Sequence, residues 1–69
     1  MMQLTEMELL HLGDQLSAEA LAIAKNATYA KESTDPKLQQ MYSRIADRHR
    51  SHYEILMRNA QNFAQQRQF

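Results

Sequence analysis

The fold is decided by a segment in the second half of the chain, Ile45-Ala46-Asp47-Arg48-His49-Arg50-Ser51-His52-Tyr53-Glu54-Ile55-Leu56. Around this segment, residues recur at alternating steps of three and four, a spacing that places them along one stripe of a helix. The stripe consists of Tyr42, Ile45, His49, His52, Leu56, Asn59 and Phe63. Two imidazoles therefore stand where a packed helix usually has leucines. A ring in that position needs a hydrogen-bond partner, a proton or a metal.

Length and composition predict one small all-α domain over residues 1–69. A chain of 69 residues rarely builds a sufficient core without a disulfide, a metal or a partner subunit. It contains no cysteine, which excludes disulfides and suits a reducing cytoplasm. A single glycine, a single proline and the lack of alternating apolar residues favour helices over strands.

Charge and hydropathy argue against two classes of partner. Eight basic and eight acidic residues cancel, so no basic surface is expected to attract nucleic acid or an anionic membrane. The apolar runs are too short to span a bilayer, and the first residues lack the pattern of a signal peptide. We therefore expect a cytoplasmic protein that binds neither nucleic acid nor membrane.

Capping signals set the predicted bounds of the two helices. Thr5 followed by Glu8 has the form of a capping box, which predicts a helix over about residues 5–32. Asp35 is a favoured N-cap and Pro36 suits a first helical position, so a second helix is expected over about residues 36–65. The turn over residues 33–35 is short enough to force an antiparallel hairpin.

The first helix has a wider apolar face than one neighbour needs. Its main stripe is Leu9, Leu12, Leu16, Glu19, Ile23, Asn26 and Ala30. A flanking stripe is formed by Leu10, Ala20, Leu21, Ala24 and Ala27. A lone hairpin leaves the second stripe in water, so we predict a homodimer in which two hairpins close a four-helix bundle.

The hairpin register predicts which residues face each other. If the chain folds between Thr34 and Asp35, residue i lies level with residue 69 minus i. Glu19 then falls between the layers of His49 and His52. We therefore expect these three side chains to meet in a polar layer at the middle of the rod.

These features resemble half of a ferritin-like four-helix bundle, in which an inward Glu on one helix faces a His on the next. The sequence is more specifically similar to the Coat F family of spore coat proteins from endospore-forming bacteria. The likeness is carried by the capping box, Asp14-Gln15-Leu16, Glu19, Asp35-Pro36 and Ile45-Ala46-x-x-His49-x-x-His52-Tyr53. It implies a ferritin-like architecture, a location in the spore coat and other coat proteins as partners.

One departure from the ferritin pattern changes the expected chemistry. Ferritin-like di-iron sites use Glu-x-x-His on the second helix, whereas this chain has His49-x-x-His52. Such a nitrogen-rich set suits Zn²⁺ or Cu²⁺ better than oxygen-activating iron. A divalent metal, Zn or Fe, bound by Glu19, His49 and His52 from both subunits is therefore one hypothesis for the layer.

The sequence leaves three functions open. In the first, the chain is a structural or interaction protein without catalytic activity, and the polar layer fixes helix register as a seam Asn does in a coiled coil. In the second, it is a metal-binding module. The third, a di-metal redox enzyme, rests only on the ferritin-like resemblance.

Overall fold

The computed structural model describes residues 5–66, which form a pair of antiparallel helices. Helix α1 spans Glu6–Glu32 and helix α2 spans Pro36–Gln66. Residues 5–66 contain no strand, so the predicted all-α class and hairpin are confirmed for this part of the chain. Residues 1–4 and 67–69, which the predicted domain includes, lie outside the described part. Neither described helix has a stretch long and apolar enough to cross a membrane.

The predicted capping box begins α1. The Thr5 hydroxyl oxygen accepts a hydrogen bond from the Glu8 backbone N–H at 3.1 Å. In return, the Thr5 backbone N–H donates to the Glu8 carboxylate at 3.1 Å. Two backbone N–H groups at the free end of the helix are thereby engaged.

The turn between the helices is closed by short-range hydrogen bonds. The Ser33 backbone N–H donates back into the last turn of α1. The Asp35 carboxylate accepts from the Lys37 N–H at 2.9 Å, which makes Asp35 the cap of α2 and leaves Pro36 at the first helical position. The side-chain amide of Gln39 donates to the Ser33 carbonyl oxygen. These bonds tie the end of α1 to the start of α2.

The predicted stripe of α1 faces α2 over most of its length. The partly buried residues of α1 are Leu12, Leu16, Glu19, Ala22, Ile23, Asn26 and Ala30. The prediction was wrong for Leu9, which is 50% exposed.

The stripe of α2 was predicted correctly at five positions and wrongly at two. The residues that face α1 are Tyr42, Ile45, Ala46, His49, Tyr53, Leu56, Met57, Ala60 and Phe63. His52 and Asn59 are exposed, and Tyr53 and Ala60 face α1 in their place. The seven-residue repeat through Tyr42, His49, Leu56 and Phe63 faces α1 along the whole helix. Alternating steps of three and four fit either of two rows beside this repeat. In the structure the second row is Ala46, Tyr53 and Ala60, and not the predicted row that contains His52 and Asn59.

The register agrees with the predicted one, and the interior is small. Glu19 contacts His49, and the rings of Tyr29 and Tyr42 lie 5.4 Å apart between centroids. Among the described residues, only Ala46 is fully buried, with 1% of its surface exposed. The two helices thus form a rod with one layer of contacts and almost no enclosed core.

The capping box makes a prediction about pH. The hydrogen bond from the Thr5 backbone N–H, assisted by the Thr5 side chain, holds the pKa of Glu8 below its ordinary value of 4.5. The carboxylate therefore contributes stability above that value and loses it as the pH falls through the lowered pKa. We expect Glu8→Gln, which keeps a capping side chain without the charge, to flatten this part of the acid dependence.

The measurement is urea unfolding of the wild type and of Glu8→Gln, monitored by circular dichroism, at several pH values from neutral down to about 3. Other carboxylates titrate in both proteins, so the difference between the two curves isolates Glu8. Parallel curves over the whole range would contradict the capping role of the carboxylate.

Candidate metal centre

Glu19 is the one carboxylate in the contact stripe of α1, and it bonds to α2. Its Oε2 lies 2.8 Å from Nδ1 of His49. The side chains of Glu19 and His49 are 20% and 30% exposed, so the pair is only partly hydrated. When Nδ1 carries a proton, the imidazole donates to the carboxylate.

His52 lies one turn further along α2, at the open edge of the same layer. Its Nδ1 is 3.8 Å from Glu19 Oε2, which is beyond hydrogen-bond distance. The side chain is 52% exposed. The rings of His49 and His52 stand edge to face, with centroids 6.1 Å apart. His52 is therefore free to turn toward the carboxylate.

The three predicted residues form one cluster within a single chain. One ligand atom from each of Glu19, His49 and His52 lies within 4.8 Å of the other two. The sequence had suggested ligands from both subunits, and within one hairpin three candidate donor atoms already lie close together. Imidazole nitrogens and a carboxylate oxygen are the donors that Zn²⁺ takes in proteins.

Neighbouring polar residues belong to other contacts. Asp47, the acid nearest to His49 in sequence, pairs with Arg50 at 2.6 Å on the exposed side of α2. Asn26 donates to the Ala22 carbonyl oxygen in its own helix at 2.8 Å. This bond lies within α1 and does not connect the two helices.

The distances predict that Glu19 couples more strongly to His49 than to His52. In double-mutant cycles with alanine, we expect a coupling free energy of about 1 kcal/mol for Glu19 with His49, because a direct, partly buried hydrogen bond is lost. For Glu19 with His52, we expect a value near zero. Urea unfolding of the metal-free variants at one protein concentration gives both values.

The two cycles share the Glu19→Ala variant, so each serves as the control for the other. Equal coupling to both histidines would mean that a general electrostatic attraction, and not the hydrogen bond, connects the helices here.

The sequence matches no protein-family model, no curated protein and no solved structure. The likeness to the Coat F family therefore stays a hypothesis carried by the residues quoted for it. The chemistry of the cluster follows from its own donors and distances.

Proposed function

We propose that this chain is a structural and interaction protein without catalytic activity, and that it works as a homodimer of hairpins closed into a ferritin-like four-helix bundle. The observation that carries this proposal is a large uncharged surface on α1, which α2 does not cover. We call this surface the free face.

The free face is exposed along most of α1. Its members are Leu9, Leu10, Gly13, Ser17, Ala20, Leu21, Ala24 and Ala27. None of them is charged, and Leu10 and Leu21 are 68% and 55% exposed. A Cβ built on Gly13 would meet no atom within 4 Å, so this surface is open on its outer side. Uncharged, leucine-containing surfaces of this extent are typical of protein interfaces.

The exposed surface is large for a chain of this mass. The chain exposes 5691 Å² at a mass of 8.1 kDa, whereas a monomeric protein of that mass exposes about 4,500 Å². The excess of about 1,200 Å² per chain reflects the elongated two-helix shape. A second copy packed on the free face would remove part of this surface from water.

The shape of the free face supports helix-on-helix packing. Small side chains at Gly13, Ser17, Ala20 and Ala24 alternate with the larger Leu10 and Leu21, so another helix can approach closely while leucines fill the spaces between. Two hairpins related by a two-fold axis present the same surface to each other and bury both copies of it. The product is a bundle of four helices with the enclosed core that one hairpin lacks.

The resemblance to the Coat F family supports the biological setting of the proposal. It suggests the spore coat of an endospore-forming bacterium as the location, after synthesis in the cytoplasm, and other coat proteins as further partners. In this setting the dimer is a building unit, and its outer surfaces are available for assembly.

The free face predicts that Leu21→Glu disrupts the dimer. Each buried leucine contributes about 1.5–3 kcal/mol and the dimer holds two copies, so we expect the dissociation constant to rise at least about a hundredfold. Sedimentation equilibrium over a dilution series measures this change.

The matched control is Gln40→Glu, which adds the same charge at an exposed position of α2 and should leave the dissociation constant unchanged. A wild-type chain that sediments as a fully helical monomer at every concentration would contradict the proposal.

The coat setting makes a separate prediction. A fluorescent fusion of the chain, produced in a sporulating bacterium, should collect as a shell around the forespore and remain with the purified coat fraction. We expect Leu21→Glu to weaken this recruitment, because an assembly unit that is mostly monomeric has lost its second attachment point. Fluorescence that stays evenly spread through the mother cell would contradict the coat assignment while leaving the dimer unaffected.

A further inference from the structure

We propose that Glu19, His49 and His52 of one chain bind one Zn²⁺ ion and that the ion joins α1 to α2. This function goes beyond the structural role of the dimer and does not depend on it, because all three ligands come from a single hairpin.

The cluster needs only small movements to become a coordination site. In a tetrahedral site with metal–ligand bonds of about 2.0–2.1 Å, neighbouring ligand atoms lie about 3.3 Å apart. The Glu19–His49 distance of 2.8 Å must open slightly, and the Glu19–His52 distance of 3.8 Å must close slightly. The nitrogens of His49 and His52, which lie within 4.8 Å of each other, must also reach this separation. Rotation of the exposed His52 side chain supplies most of this change.

The backbone places the three ligand residues on facing sides of the two helices. His49 and His52 are three residues apart on α2, a spacing at which two side chains lie on the same side of a helix. Glu19 faces them from α1 and holds His49 by its hydrogen bond, so two of the three ligands are oriented before an ion arrives. Such preorganisation reduces the conformational entropy lost on binding.

The environment of Glu19 favours a cation. The carboxylate is 20% exposed and lies one turn from Leu16 on one side and from Ile23 on the other, both facing α2. A charge with reduced hydration between apolar neighbours is stabilised by an opposite charge close to it. A divalent ion supplies more positive charge there than one imidazolium does.

The three ligand atoms determine which kind of metal ion is favoured, and they leave the fourth coordination position of that ion open. Two imidazoles and one carboxylate suit Zn²⁺ and related transition metals, whereas Mg²⁺ and Ca²⁺ prefer oxygen ligands alone. Two His and one Glu are also a three-ligand set that zinc proteins use with water as the fourth ligand. Because His52 is 52% exposed, solvent reaches that side of the cluster and can supply the water.

The test is calorimetric titration of the full chain with Zn²⁺ after removal of metal by a chelator. We expect one ion per chain, and a rise in the melting temperature when Zn²⁺ is added. His52→Ala is the most informative variant, because this exposed side chain makes no hydrogen bond to Glu19 and its loss should leave the apo fold intact. It should weaken Zn²⁺ binding at least tenfold, and Glu19→Gln should do the same.

The matched control is His11→Ala, which removes an exposed histidine of α1 outside the cluster and should leave the affinity unchanged. Circular dichroism of each apo variant separates lost ligands from lost folding. Co²⁺ in place of Zn²⁺ gives an optical spectrum whose intensity reports tetrahedral coordination, and this spectrum should disappear in His52→Ala.

Two results would overturn the proposal. Equal Zn²⁺ affinity in the wild type, His52→Ala and Glu19→Gln would place the ion elsewhere. One ion per two chains, lost in the monomeric Leu21→Glu variant, would show that the site is shared between subunits. If Leu21→Glu dissociates the dimer and still binds one ion per chain, the metal site stands independently of the dimer, and a monomeric wild type would not affect it.

Discussion

The limiting constraint on this molecule is that two helices can bury only the surfaces that face each other. Among the residues of α1 and α2 whose burial is described, those surfaces enclose one fully, Ala46. Burial of apolar surface is the main favourable contribution to folding, and the conformational entropy of ordering the helices opposes it. Capping at Thr5 and Asp35 helps locally, but each cap contributes on the order of 1 kcal/mol. Chains of this size rarely build a sufficient core alone, which is the physical reason for proposing a second copy on the free face and a cross-link between the helices.

Glu19 and His49 sit where a leucine pair would add most to that small interior. Placing them there removes water from the carboxylate, which is unfavourable in free energy. The hydrogen bond of 2.8 Å between Glu19 and His49 offsets part of this unfavourable free energy. What the pair adds is specificity against a shift in one direction: moving Glu19 one helical turn toward Ile45 would leave the carboxylate opposite an apolar residue and His49 without its partner, whereas the opposite shift would bring Glu19 to His52. Polar pairs in apolar seams are known to fix register in this way. The same placement also creates a cation site, so register and metal binding are compatible uses of one layer.

The sequence predicted the helix bounds well because local chemistry determines them: Thr5 with Glu8, and Asp35 with Pro36, act over three or four residues. The register followed from the short turn. The facing residues at the middle of α2 were harder to predict, because alternating steps of three and four fit two different rows beside His49. The predicted row contains His52 and Asn59, whereas the row that faces α1 contains Tyr53 and Ala60. The meeting of the three cluster residues within one hairpin followed from the same register, but their distances did not, because the 2.8 Å and 3.8 Å separations depend on side-chain conformations that residue spacing does not determine.

The free face and the cluster of Glu19, His49 and His52 occupy different sides of the hairpin. The proposed dimer and the proposed Zn²⁺ site can therefore exist in the same molecule. At 100° per residue, Leu9, Ala20 and Ala27 lie about 80–100° around α1 from Glu19, on the side where the next helix of a bundle packs, and Leu10 and Leu21 lie further round, at about 160–180°. A second hairpin packed on the free face therefore leaves the opening beside His52 uncovered. Zinc at the cluster would stiffen each hairpin before or after it dimerises, and its fourth position would stay accessible from outside the bundle. An ion that strengthens the hairpin also makes the free face a more rigid surface for the second copy, so metal binding should favour the dimer by ordering each half and not by bridging the two.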